Sequence, residues 1–421
     1  MTDVVRDAGP PSDELAEALT AEVDERLAGA DAALAEGFPG DTPDRQPVHT
    51  VYVPADRFVE DLVDTWGRAA IALVDQHSDL FADLASGAEP VALVRAKLAA
   101  EPIEDLRIDF EDGYGDRGDE VEDADALRSA GALARATTAG TAPPYRGIRF
   151  KSLEAPTRRR GIRTLTMFLS TLLEEGGTLD GFVVTLPKIT SVEQVEAMVQ
   201  LTARLEESLG IAPRSLRFEL QIETPQSILG PDGTVLVARM IHAGDHRVTA
   251  LHYGTYDYSA FCGIPAAYQS MEHPVADHAK LVMQAAAAGT GVRLSDGSTN
   301  VLPVGDETAV RRGWELHARL VRRSLERGFN QGWDLHPAQL PTRFAATYAF
   351  FREGFDEAAE RLRNYVEQTG SSVMDEPATA RALSDFIARG IDCGALSATE
   401  VESGTGLDVA TLTALARPRR A

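Results

Sequence analysis

A chain of 421 residues with 44% hydrophobic and 25% charged side chains can bury a large core, which argues against wholesale disorder. Its formal charge of −24 argues against sequence-independent nucleic-acid binding and against adsorption to an anionic membrane. Two cysteines, Cys262 and Cys393, lack CxxC or Cys/His spacing and so argue against a disulfide framework and a structural zinc site.

No apolar run reaches the roughly 18–20 residues that cross a bilayer. Residues 1–7 carry no basic start followed by an apolar stretch, so no secretory signal is expected. The sequence reads as that of a cytoplasmic protein.

In chain order, residues 1–47 read as a helical extension and linker. An acidic, Ala/Leu-rich helix is expected from Ser12 to Glu36, followed by a Gly/Pro/Asp-rich connection to Pro47. From residue 48 short β-branched or apolar runs alternate with longer Ala/Leu/Glu/Arg-rich stretches. Strands are expected at Thr50–Val53, Leu106–Phe110, Gly147–Phe150, Gly181–Leu186, Leu216–Ile222, Val248–Tyr253, weakly at Gly291–Leu294, and at Gly332–Leu335. Helices fit between them at 59–75, 121–136, 160–175, 191–209, 273–289 and 308–327. Eight β/α repeats predict a parallel sheet closed into a (β/α)8 TIM barrel over 48–345. An open doubly wound sheet is the alternative, but no Gly-x-Gly-x-x-Gly comes after the first strand. Residues 346–421 read as a C-terminal helical segment, with helices at 355–368, at 376–389 and in two shorter pieces.

The chemistry gathers at the C-terminal end of each strand. The second runs into Asp109-Phe110-Glu111-Asp112-Gly113, the third ends at Arg149 beside Lys151, and the fourth at Pro187-Lys188. The fifth leads to Glu223, the sixth to Asp257, the seventh to Asp296 and the eighth to His336. In a barrel these strand ends meet on one rim.

Each residue also has a structural reading. Asp109, Glu111 and Asp112 fit a solvated Asp-Gly turn, Arg149 an internal ion pair, and Asp257 a helix N-cap. Lys188 fits an ion-paired lysine, and His336 a satisfied core histidine. His273 and His278 do not face one another on a helix, and their structural reading stands. Taken together, Glu223 and Asp257 supply two hard oxygen ligands suited to Mg²⁺, with the Asp109–Asp112 turn holding its waters. Arg149 would then meet a substrate carboxylate or a developing oxyanion.

These motifs resemble those of the citrate lyase β-subunit-like (HpcH/HpaI aldolase) family, which includes malyl-CoA lyases. Val51-Tyr52-Val53-Pro54-Ala55-Asp56-Arg57 is similar to its "FVPGDR" opening, and Ile108-Asp109-Phe110-Glu111-Asp112 to "DLED". Ile148-Arg149-Phe150 resembles "RVN", Leu186-Pro187-Lys188-Ile189 "LPKV", and Gln221-Ile222-Glu223-Thr224 "IET". Gly254-Thr255-Tyr256-Asp257 resembles "GAED", and Gly328 through Gln339 resembles "GFxGKxxIHPxQ".

The resemblance covers roughly residues 50–345 in the family's order. It implies a Mg²⁺-dependent carbon–carbon lyase, with Mn²⁺ as a substitute ion, acting on a 2-oxo acid or acyl-CoA through a metal-stabilised enolate. It further implies Glu223 and Asp257 as metal ligands, Arg149 on substrate, and a homo-oligomer, a trimer or hexamer, whose C-terminal segment lies over a neighbouring mouth. Asp375, in Val373-Met374-Asp375-Glu376-Pro377, partly matches a catalytic aspartate of the acyl-CoA members, and also fits a helix N-cap.

The chain departs from the pattern in its acidic N-terminal extension, its long C-terminal segment, the absence of a Gly-Lys after Asp375, and two places within the barrel. Gln331-Gly332 replaces a Gly-Lys associated with CoA, and Thr255-Tyr256 replaces a small and an acidic residue before the metal Asp. Two other readings stay open: a Schiff-base aldolase using Lys188, and a barrel that binds a 2-oxo acid or phosphoenolpyruvate without turning it over.

Overall fold

The computed structural model describes residues 13–85, 87–367 and 376–417. Eight parallel strands form its centre: β1 His49–Pro54, β2 Asp105–Asp109, β3 Tyr145–Arg149, β4 Phe182–Leu186, β5 Arg217–Ile222, β6 Val248–Tyr253, β7 Arg293–Ser295 and β8 Gly332–Asp334. They pair in the order β7-β6-β5-β4-β3-β2-β1-β8. A parallel bridge from Ser295 to Gln331 joins the two ends of that order and closes the barrel. The strands are buried almost throughout, as expected when helices cover one face of a parallel sheet and the lumen the other.

The six expected helices are present, at Leu62–Gln76, Asp119–Thr138, Arg158–Glu174, Val192–Leu209, Pro274–Ala287 and Glu307–Glu326. Five more were not anticipated: Ser78–Leu84, Ala88–Ala100, Pro225–Ile228, Leu236–Ala243 and Thr255–Phe261. Pro90 explains one omission. It looks like a breaker, yet sits in the first turn of its helix, where an absent N–H leaves no intrahelical bond unmade.

The N-terminal helix spans Asp13–Gly37 and buries no side chain. After the barrel, helix Leu340–Val366 carries the chain into helices Pro377–Asp392, Ala398–Thr405 and Val409–Ala416. Phe355, Leu362, Ile387, Val401 and Leu412 form a second apolar cluster there. No described helix is long and apolar enough to cross a membrane.

Two polar networks fix the barrel. Inside it, Arg107 donates from Nε and Nη2 to Glu219 at 3.0 and 2.7 Å and also pairs with Asp105. His252 Nδ1 accepts the indole N–H of Trp333 at 3.1 Å, which leaves Nε2 to face Glu219, also at 3.1 Å. In the wall, the buried carboxylate of Asp334 takes His49 at 2.7 Å, His317 at 3.0 Å and Arg343 at 3.0 Å. Burial works to raise its pKa, but Arg343 and the two histidines hold it well below the usual carboxylate range. Buried charges persist only when matched in this way.

Candidate active site at the C-terminal mouth

The turn after β2 is shaped by Asp109. Its carboxylate accepts the backbone N–H of Glu111 at 3.0 Å and of Gly113 at 2.9 Å, so the chain folds back over it. Arg149, opposite it on β3, donates to the same carboxylate from Nε and Nη2, both at 2.7 Å. The guanidinium lies over the Tyr52 ring, 4.9 Å from its centroid. Its remaining contacts are longer: Nη1 reaches Gln221 at 3.3 Å and Glu111 at 3.4 Å. The Nε/Nη2 edge is therefore committed to Asp109, and any substrate contact falls to the Nη1/Nη2 edge.

Lys188 comes just after β4 with a φ of +50°, a left-handed conformation that costs a non-glycine residue of order 1 kcal/mol or more. Its backbone N–H donates to Glu223 at 2.8 Å. Its ammonium lies 2.8 Å from Asp112, 3.0 Å from Glu111, 3.2 Å from Asp257 and 4.0 Å from Glu223. Burial works to lower its pKa, but Glu223, Glu111 and Asp112 together push it well above the ordinary lysine range. An imine-forming lysine needs the opposite shift.

Glu223 is buried at the end of β5, and its second oxygen accepts the amide of Gln221 at 2.5 Å. Burial raises its pKa to about 8, with Lys188 opposing and Glu111 and Asp257 adding to the rise. Glu111 is likewise raised by burial, to about 7, against the pull of Arg149. Gly254 makes room for Glu223: a Cβ there would come within 2.4 Å of the Glu223 Cβ and 2.9 Å of Oε2.

Asp257 stands in the first turn of helix Thr255–Phe261. Oxygens of Asp112, Glu223 and Asp257 all lie within 4.8 Å of one another. Three hard carboxylate donors at that spacing fit Mg²⁺ or Mn²⁺ in chemistry and in number. Asp112 thus joins the pair singled out from sequence, while Asp109 faces Arg149 instead.

Not every strand end contributes. Asp296 is buried and tied to Lys280 at 2.9 Å and Ser324 at 2.7 Å. Lys151 donates to the carbonyls of Phe110 and Gly115, bracing the turn rather than entering the cluster. His336 caps a short helix by accepting the Ala338 N–H, and His273 does the same for Val275. Asp375 lies outside the described residues.

Two contributors were missed from sequence. Gln221 bridges Glu223 and Arg149, and Tyr52 floors the guanidinium. Period-two alternation along β5, which puts Glu219, Gln221 and Glu223 on one face, was the available signal for Gln221. Tyr256, one of the departures, accepts the Asn300 N–H at 2.6 Å and so ties the loop after β7 to the side of Asp257.

The fold recurs in solved structures of low sequence identity. A citrate lyase from Burkholderia xenovorans LB400 matches with a TM-score of 0.58 at 20% identity, covering 88% of this chain and 99% of its own. CitE from Mycobacterium tuberculosis, in complex with magnesium, acetoacetate and coenzyme A, gives 0.50 at 17%, covering 84% and 100%. Malate synthase from Haloferax volcanii gives 0.50 at 14%, covering 89% and 99%. These matches establish the shared barrel. No curated protein matches by sequence. A family model does, over residues 27–420, and the chain belongs to that family, the domain of unknown function DUF6986.

Proposed function

We propose that this chain is a Mg²⁺-dependent carbon–carbon lyase or condensing enzyme whose substrate is a 2-oxo acid. The observation that carries this is the convergence of Asp112, Glu223 and Asp257 beside the Arg149 guanidinium at the barrel mouth. Glu223 and Asp257 would hold the ion, with Asp112 as a third ligand or a holder of its water. The ion, when bound, supplies a Lewis acid that favours the enolate form of a 2-oxo acid.

The other residues orient and balance charge. Asp109 fixes Arg149, whose Nη1/Nη2 edge, held otherwise only by the longer contacts to Gln221 and Glu111, is suited to a substrate carboxylate. Gln221 fixes Glu223. Lys188, with its ammonium among the carboxylates, keeps their charges compatible before the ion arrives. Complexes of the proteins sharing the fold agree in kind, with magnesium, acetoacetate and coenzyme A in one and glyoxylate present with the other.

Gln331, buried and donating to Thr50, and Gly332, crowded by the Arg343 guanidinium, stand at the N-terminal end of β8, away from the mouth, so this departure from the family pattern does not bear on CoA at the carboxylate cluster. A trimer or hexamer, as the family resemblance implies, belongs to the same proposal.

Enolate formation is testable without knowing the second substrate. With Mg²⁺ in D₂O, the protein is expected to exchange the methyl protons of pyruvate, seen by proton NMR, faster than Mg²⁺ alone. No exchange with pyruvate, 2-oxobutyrate or acetyl-CoA would leave a binding-only barrel as the better account.

A further inference from the structure

A cavity of about 1160 Å³ lies at the end of the barrel opposite the carboxylate cluster. Strand alternation explains how it is lined. Glu219 points into the lumen at Arg107, so Arg217, two residues before it, shares that face. Arg293 stands two residues before Ser295, which pairs with the inward-facing His252. The small Ala250 on β6 lies between them, and Val183 on β4 lines the cavity on the other side of Arg217. A TIM barrel ordinarily fills its lumen with packed branched side chains. Here the lower end is hollow.

The segment between the N-terminal helix and β1 crosses the opening. Gly40 N–H donates to the Gly289 carbonyl at 2.9 Å, Tyr145 Oη to the Arg45 carbonyl at 2.5 Å, and Arg293 Nη2 to the Asp44 carbonyl at 2.8 Å. Phe38 packs edge-on against His242 at 5.3 Å between ring centroids.

The charges are unequally matched. Arg107 faces Asp105 and Glu219, Arg45 faces Glu101 and Glu104, and Arg214 faces Asp245. Arg217 and Arg293 have no carboxylate partner among the described residues. Arg293 is half-buried, with a carbonyl oxygen and the face of Tyr145, 5.9 Å away, as its compensation. Burial accordingly lowers its pKa. The nearby acids outside these ion pairs, Glu36, Asp44 and Asp180, are exposed, and Asp44 also accepts the Thr42 hydroxyl at 2.8 Å. Two cations without an ion pair therefore face this space, Arg293 partly desolvated and Arg217 exposed.

We propose that the lower lumen is a second ligand site, taking a small multiply charged anion, a polycarboxylate or a phosphate, between Arg217 and Arg293 beneath the 36–45 segment. These residues sit on β5 and β7, with β6 between. Two strand spacings, about 10 Å, are a distance over which two arginine side chains converge on one such anion. Because Arg293 and Tyr145 also hold the covering segment, binding and closure share residues.

The test is calorimetric titration of citrate and, separately, inorganic phosphate into the full metal-free chain carrying Glu223→Ala and Asp257→Ala. That background removes the mouth as a metal site, so the outcome does not depend on the proposed activity; Arg149 and Lys188 remain at the mouth, and the arginine variants below are what assign binding to the lower lumen. One equivalent of either anion is expected to bind, and the one that binds identifies the class. Arg217→Gln and Arg293→Gln are each expected to weaken it at least tenfold. Should Arg293→Gln fail to fold by circular dichroism, Arg217→Gln, at an exposed position, decides the matter. Absence of binding by both anions, or affinity unchanged in the arginine variants, overturns the proposal.

Discussion

Asp109→Ala is expected to destabilise the protein by about 3–5 kcal/mol, the usual cost of stranding one member of a buried ion pair. Both short hydrogen bonds of Arg149 end on this carboxylate, and so do the amides of Glu111 and Gly113. Its removal leaves a buried guanidinium without its main partner and releases the turn that presents Asp112. Asp109→Asn, which keeps an acceptor for the turn but loses the charge, should fall between. Urea denaturation measures both variants. A loss below about 1 kcal/mol in Asp109→Ala would show that Arg149 is held chiefly by Tyr52, Gln221 and Glu111.

Lys188→Met is expected to tighten Mg²⁺ at least tenfold. The ammonium lies 2.8 to 4.0 Å from one oxygen of each candidate ligand, the neighbourhood a divalent ion must enter. At an effective dielectric of about 20, the repulsion between a monovalent and a divalent cation a few ångströms apart is several kcal/mol. Tenfold, ~1.4 kcal/mol, is therefore a modest expectation. The same variant should lower the metal-free thermal midpoint, since four carboxylates then face one another uncompensated, and Mg²⁺ should restore it. Calorimetry and a thermal scan report the two effects. Mg²⁺ affinity that falls or stays level in Lys188→Met would mean that the lysine supports the ion rather than competing with it.

The barrel was legible because its signal repeats. Each strand is a short β-branched run, and the gaps between strands are the length a helix needs. β7 was the faintest, and the structure shows why: it is three residues long and starts two positions later than expected, at Arg293.

The mouth was legible as a ring of strand ends, since topology alone gathers them. Which side chain of Asp109-Phe110-Glu111-Asp112 points where was not legible. That depends on Asp109 accepting two amides from its own turn, a property of backbone geometry rather than composition. Asp296 and His336 looked similar to Asp257 and Glu223 in sequence, but their partners, Lys280, Ser324 and the Ala338 N–H, come from packing distant in the chain or from a local cap. The lower lumen was invisible for a related reason. Its two arginines become neighbours only through the register of β5, β6 and β7.

The claim that Glu223 and Asp257 hold a Mg²⁺ ion on which 2-oxo-acid binding depends is tested most directly by calorimetry. Mg²⁺ and pyruvate would be titrated into metal-stripped protein, and the same done for Glu223→Ala and Asp257→Ala. Pyruvate is predicted to bind only when Mg²⁺ is present, and each substitution is predicted to abolish both signals. Metal and pyruvate binding that persists in both variants would contradict the account, and the shared barrel would then reflect ancestry without shared chemistry.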